Sequence, residues 1–157
     1  MKVYSLYIFD FDNTLFDTRR GLDAILSHAF PVIGQSYDES RFTEFVGMTM
    51  EQIFDSLSTD DSKRQEFYDR FKEVVRSDAY LDAEPFPETK RVLEELRRRG
   101  RKVAIASGKY RYKILRLMEE HGMAELVPEV VVGYEETERH KPDPDPILKA
   151  LSSFDVP

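Results

Sequence analysis

The sequence predicts an α/β protein whose parallel sheet is interrupted by a helical insertion. Three short apolar runs carry that prediction: Val3 to Phe9, Lys102 to Ala106 and Val130 to Val132. Helical periodicity separates the second run from the third, and strands that alternate with helices pair in parallel through right-handed crossovers. Between the first and second runs lies a long stretch, Arg19 to Tyr80, with helical spacing and no strand pattern.

The first run, Val3-Tyr4-Ser5-Leu6-Tyr7-Ile8-Phe9, reads as a buried strand. In the insertion, Leu22, Ile25, Leu26 and Ala29 share one helical face. Met50, Ile53, Phe54 and Leu57 share another, and Phe67, Phe71, Val74 and Val75 a third, which implies about three or four helices. Pro31 and Gly34 close the first of them, and the Thr59-Asp60-Asp61-Ser62 cluster opens the longest, with Asp or Ser as N-cap. Glu84-Pro85-Phe86-Pro87 marks the return, because Pro-x-Pro does not continue a helix. The next helix faces inward with Val92, Leu93 and Leu96 and ends in Arg97-Arg98-Arg99-Gly100, cations in the last turn and then a C-terminal glycine. The second strand ends in Ser107-Gly108. A helix with Ile114, Leu115 and Met118 inward follows, closed by His121-Gly122, then the third strand and a last helix from Asp145 to Phe154.

Composition narrows the function. A chain of 157 residues holds one good core, or a modest core with a small accessory unit. Its net charge of −7 argues against a nucleic-acid partner, which needs clustered positive charge. No apolar run is long enough to span a bilayer, and no membrane partner is expected. The absence of cysteine excludes disulfides and thiolate metal sites. The N-terminus enters a strand with no basic region, apolar segment and cleavage site, so a cytoplasmic location is the expectation.

Chemistry concentrates where the first strand stops. Asp10 and Asp12 stand two residues apart at that end, the place where open parallel sheets bind ligands. An Asp-x-Asp alone is an ordinary turn. The longer string Phe9-Asp10-Phe11-Asp12-Asn13-Thr14-Leu15-Phe16-Asp17-Thr18 resembles the first motif of the haloacid dehalogenase-like hydrolases, most of which are magnesium-dependent phosphatases. Two further pieces match that family in order: Ser107, in Ile105-Ala106-Ser107-Gly108-Lys109, and Lys141, in His140-Lys141-Pro142-Asp143-Pro144. Singly, Ser107 is a turn residue and Lys141 a solvated cation; the ordered set carries the reading.

The resemblance covers essentially the whole chain. It implies a Rossmann-like parallel sheet core over residues 1–17 and 84–157, with an inserted α-helical cap over residues 18–83. It points to the branch with phosphoglycolate phosphatases, pyrophosphatases and phosphosugar mutases, and to a small phosphate monoester as substrate. Asp10 would attack phosphorus, since a carboxylate is already ionised at neutral pH and needs no base. Asp12 would protonate the leaving oxygen and then accept a proton from water. Two neighbouring acids do not both ionise easily, so one is expected to keep a raised pKa. Ser107, Gly108 and N–H groups at the following helix start would hold the phosphoryl oxygens, and Lys141 would offset charge around Asp10. The cofactor implied is Mg²⁺, held by Asp10 and the backbone carbonyl of Asp12. The acid at Asp12 favours phosphoryl transfer over dehalogenation, which delivers no proton to an alkoxide.

Other residues weigh less. Lys109 reads equally as a substrate contact and as a surface lysine. Thr14 is expected to support its loop through its hydroxyl. Gly47-Met48-Thr49-Met50 is a candidate specificity element or a plain helix start. His28, His121 and His140 lack metal-ligand spacing. The family's fourth motif, a Gly-Asp with a further acid, has no counterpart before Pro157. The reading therefore expects missing C-terminal strands, an incomplete magnesium site with low turnover, and an open edge on the first strand. Either the chain is a truncated product or another chain covers that edge, which makes self-association an expected partnership. Two rivals stay open: a phosphosugar mutase or pyrophosphatase with the same parts, and a weak or inactive domain that binds phosphate ligands.

Overall fold

The structure, a computed structural model, describes residues 4–155; Val3, expected to open the first strand, lies outside them. Among the described residues, five strands and seven α-helices follow in the order β1 (Leu6–Phe9), β2 (Phe16–Asp17), α1 (Arg19–Ala29), α2 (Phe42–Phe45), α3 (Met50–Leu57), α4 (Arg64–Arg76), β3 (Glu84–Pro85), α5 (Thr89–Arg98), β4 (Lys102–Ala106), α6 (Arg111–Glu120), β5 (Val130–Val132) and α7 (Asp145–Ser152), with short 3₁₀ turns between them. The chain divides into two compact units, one of Met1–Asp17 with Glu84–Pro157 and one of Thr18–Ala83.

In the first unit, β1, β4 and β5 form a parallel sheet in the order β1-β4-β5. Leu6 pairs with Lys102 and Phe9 with Ile105; Ala104 pairs with Val130 and Ala106 with Val132. The central strand buries Ala104, Ile105 and Ala106 completely or nearly so. Leu93 of α5 and Ile114, Leu117 and Met118 of α6 are also buried, while α7 packs Ala150 against β4 and β5. The expectation of a buried first strand needs correction, because every residue of β1 is only half-buried. The cause is position: among the described residues β1 is an edge strand, flanked by β4 on one side only.

The arginine run closes α5, with Arg97 and Arg98 in its last turn and Arg99 as its C-cap, as its composition suggests. Gly100 takes a left-handed φ of 62°, which suits a residue without Cβ. Hydrogen bonds from Arg98 and Arg99 hold the Glu95 carboxyl down to about 2.

The antiparallel ribbon of β2 and β3 has no sequence signature. Phe16 pairs with Pro85 and Asp17 with Glu84, and two residues a side are too few to display alternation. The ribbon is anchored by the buried Thr89 hydroxyl, which donates to the Leu15 carbonyl at 2.7 Å.

The second unit has its own core. Leu26, Ala29, Phe30, Phe45, Ile53, Phe54 and Phe67 are buried together, and Phe54 meets Phe67 edge-to-face at 5.3 Å. The apolar faces of α1, α3 and α4 supply this core, as their spacing predicts. Thr49 and Gln52 close a capping box at the start of α3, so the Gly47–Met50 segment serves as a helix start. Asp60 accepts the Ser62 N–H at the 3₁₀ turn that leads into α4.

Two outcomes follow for this unit. Phe67→Ala removes a fully buried ring and lowers unfolding free energy by about 3–5 kcal/mol, read as a lower urea midpoint with an unchanged slope. Tyr37 donates to Asp23 at 2.5 Å, and burial, then that hydrogen bond, push its phenol well above the ordinary value of 10.0. The folded state therefore keeps a proton that the unfolded chain releases, so this stabilisation is complete below pH 10 and fades as pH rises beyond it. Urea titrations at alkaline pH should show a decline that Tyr37→Phe flattens.

Candidate active site

Three chain segments meet at the C-terminal edge of the sheet. The first leaves β1. Alternation turns Phe11 inward, where it is fully buried and stacks on Phe16 at 4.7 Å, and it leaves Asp10 and Asp12 only part-buried on either side. The Phe11 carbonyl accepts the N–H groups of Thr14, Leu15 and Phe16 at 3.3, 3.0 and 3.1 Å. Asn13 sits at the left-handed φ of 56° that this tight turn requires, a conformation Asn tolerates better than most residues. Asp10 Oδ1 accepts the Phe11 N–H at 2.8 Å, which orients its carboxylate. Thr14 itself is exposed and serves the loop through its backbone N–H.

The second segment leaves β4. Ser107 is buried and its N–H donates to Val132 O at 3.0 Å, tying the end of β4 to that of β5. Its Oγ accepts the Lys109 N–H at 3.1 Å, and the Lys109 carbonyl accepts the Tyr134 N–H at 3.0 Å. Gly108 is exposed at the rim. The expectation that N–H groups at the following helix start hold phosphate needs correction at Arg111. Its N–H donates to both Glu135 carboxylate oxygens at 3.1 Å, so an internal anion already occupies that end of α6. Gly133 makes the approach possible, because a Cβ there would lie 2.5 Å from the Arg111 nitrogen.

The third segment brings Lys141, whose Nζ lies 2.8 Å from Asp10 Oδ1. Their side chains are 33% and 43% exposed, so the pair sits at the rim and in reach of solvent. The neighbouring acids are structural. Arg139 holds Asp145 with two bonds of 2.7 Å and keeps its carboxyl below the ordinary range. Asp143 accepts the Asp145 N–H at 3.0 Å at the start of α7.

Lys109 belongs to this site, which the sequence left undecided. Its Nζ lies 3.0 Å from Asp12 Oδ1, and its side chain is 15% exposed against 32% for Asp12. The contact is ionic and lacks hydrogen-bond geometry, so Asp12 Oδ1 is buried with no hydrogen-bond partner. The sequence suggests two acids that repel each other; here each carboxylate has its own ammonium.

Among the described residues no group of three or more His, Asp or Glu side chains is gathered to hold a metal. The donor set nevertheless fits magnesium, a hard cation that commonly takes one or two carboxylates and fills its shell with water and phosphate oxygens. Asp10 offers a half-exposed carboxylate at the rim, and the backbone carbonyl of Asp12, the second ligand that the resemblance implies, follows two residues along the same loop. The histidines are engaged elsewhere: His28 with Glu73 at 2.8 Å, His121 with Glu84 at 3.5 Å, and His140 stacked on Tyr134 at 4.0 Å. No described helix is long and apolar enough to cross a membrane.

Comparison with known proteins identifies the family. The family model of the haloacid dehalogenase-like hydrolases matches residues 7–157. The chain is 27% identical over 148 residues to a phosphoglycolate phosphatase of Aquifex aeolicus, covering 92% of this chain and 67% of that protein. It is 26% identical over 149 residues to the pyrophosphatase PpaX of Oceanobacillus iheyensis, covering 94% and 67%. The chain thus spans about two thirds of the length of these relatives. Among solved structures, a Bacteroides fragilis protein assigned to the haloacid dehalogenase-like hydrolases superposes with a TM-score of 0.83 at 28% identity, over 96% of this chain and 73% of that one. A haloacid dehalogenase-like family protein of Streptococcus pneumoniae shares the fold, with a TM-score of 0.80 at 21% identity over 95% and 69%.

The close packing at Gly133 gives a direct check on how the β4 and β5 loops are joined. Gly133→Ala forces the Arg111 backbone away and costs about 1–3 kcal/mol as over-packing. Hydrogen exchange should quicken in the first turn of α6 while the helical unit keeps its protection.

Proposed function

The chain belongs to the haloacid dehalogenase-like hydrolase family, and from that premise we propose that it hydrolyses small phosphate monoesters through a phosphoryl group carried on Asp10. The observation that carries the reading is the 2.8 Å contact between Lys141 Nζ and Asp10 Oδ1. A carboxylate of this kind repels an incoming phosphate dianion, and a fixed ammonium offsets that repulsion before and during attack. The unit of Met1–Asp17 and Glu84–Pro157 is read as the catalytic core, and Thr18–Ala83 as the family's cap.

In this reading Asp10 attacks phosphorus in line with the departing oxygen, and Asp12 donates a proton to that oxygen. Water then cleaves the acyl phosphate, with Asp12 taking a proton back. Ser107 and Gly108 receive the phosphoryl oxygens at the end of β4. Magnesium, held by the Asp10 carboxylate and the Asp12 backbone carbonyl, would supply positive charge to the phosphoryl oxygens as the bond order changes. A second reading, hydrolysis of a phosphoanhydride, draws support from the relatives named pyrophosphatases. The two differ in leaving group and share every residue named above.

The test is phosphate release on a panel that includes phosphoglycolate, other alkyl phosphates and inorganic pyrophosphate, with magnesium. Asp10→Asn should lower turnover by roughly 10³-fold or more, and full activity in that variant would end the mechanism. Chelation should abolish turnover and added magnesium restore it. A preference for pyrophosphate over every monoester selects the second reading.

A further inference from the structure

We infer that Lys109 is a positioning residue that holds the Asp12 carboxyl group in the orientation needed to serve the leaving oxygen; the inference rests on the proposed role of Asp12. Three observations converge on it. The Lys109 backbone is fixed at both ends, by its N–H on Ser107 Oγ at 3.1 Å and by its carbonyl on the Tyr134 N–H at 3.0 Å. Its side chain is largely covered, so the ammonium is delivered to one place with little freedom left to lose. That place is 3.0 Å from Asp12 Oδ1, an oxygen buried with no hydrogen bond of its own.

A buried carboxylate oxygen without a hydrogen bond is costly unless an opposite charge compensates it. Lys109 lies within ion-pair distance of that atom. Without it, Oδ1 gains by rotating out to water, and the carboxyl group loses its set. With it, Oδ1 stays inward and Oδ2 is the oxygen left to face the reacting groups. Lys109 therefore acts through Asp12, whereas Lys141 acts on the Asp10 side.

Positioning has a kinetic signature that simple phosphate binding lacks. Proton delivery matters for a poor leaving group such as an alkoxide and little for an activated one such as p-nitrophenolate. Lys109→Met keeps the apolar stem and removes the charge. We expect it to lower kcat on an alkyl phosphate by about tenfold or more with KM changed by less than about threefold, while the first-turnover burst of p-nitrophenolate from p-nitrophenyl phosphate, which needs no proton from Asp12, keeps its rate within about threefold. The chain contains no cysteine, so Lys109→Cys can be alkylated at that position alone with 2-bromoethylamine. Restoring the ammonium in this way should restore turnover of the alkyl substrate.

Equal KM increases on both substrates with kcat intact would overturn the inference, because Lys109 would then bind phosphate directly. So would failure of alkylation to rescue a natively folded variant. Asp12→Ala on the same panel separates the two levels. If it loses alkyl-phosphate turnover and Lys109→Met does not, the positioning role fails and the hydrolase reading stands. If Asp12→Ala keeps that turnover, the role of Asp12 itself fails. A crystal structure of Lys109→Met decides the contact independently of activity: Asp12 Oδ1 should have turned out to solvent, and an unmoved carboxylate would refute the inference.

Discussion

The contact between Lys141 and Asp10 joins residues 131 positions apart, and the rest of the sheet-bearing unit is arranged so that it can form. Parallel pairing brings the C-terminal ends of β1, β4 and β5 to one edge of the sheet. With β4 between them, the loops that leave β1 and β5 flank the one that carries Ser107. An antiparallel strand at any of these positions would send one of the three loops to the opposite edge. The topology is thus a condition for the proposed chemistry as well as for the core.

In the proposed reaction the Asp10 carboxylate must also stay still. Phe11 and Phe16 stack beneath the loop and three N–H groups converge on one carbonyl, so the turn that presents Asp10 and Asp12 is anchored by apolar burial and backbone bonds together. Glu135 performs a parallel task beyond β4, where it satisfies the first N–H of α6 and ties that helix to the loop after β5. The helical unit, by contrast, is stabilised by its own aromatic core and its own caps. Its stability and the geometry of the carboxylates therefore rest on different residues.

Much of this was legible in the sequence because the signals were periodic or local. The faces of α1, α3 and α4, the glycine after α5 and the strand-helix alternation each rest on spacing that solvent exclusion enforces. Asp10, Ser107 and Lys141 could be placed at one rim because each follows a strand. What escaped was set by tertiary contact. The β2–β3 ribbon is too short to alternate, and the half-burial of β1 follows from its edge position. Lys109 read equally as a substrate contact and as a surface lysine, since nothing local says that its ammonium reaches Asp12. Glu135 lies 24 positions from Arg111, and only the close approach at Gly133 makes it a cap of α6.

The central claim is that Asp10 accepts a phosphoryl group within reach of Ser107 and Lys141. Its most direct test is a crystal structure of this chain with magnesium and beryllofluoride, a mimic of an acyl phosphate. The account predicts beryllium bonded to an Asp10 carboxylate oxygen, with fluorines contacted by Ser107 and Lys141. Beryllofluoride bound elsewhere, or Lys141 turned away from Asp10 under saturating ligand, would contradict it.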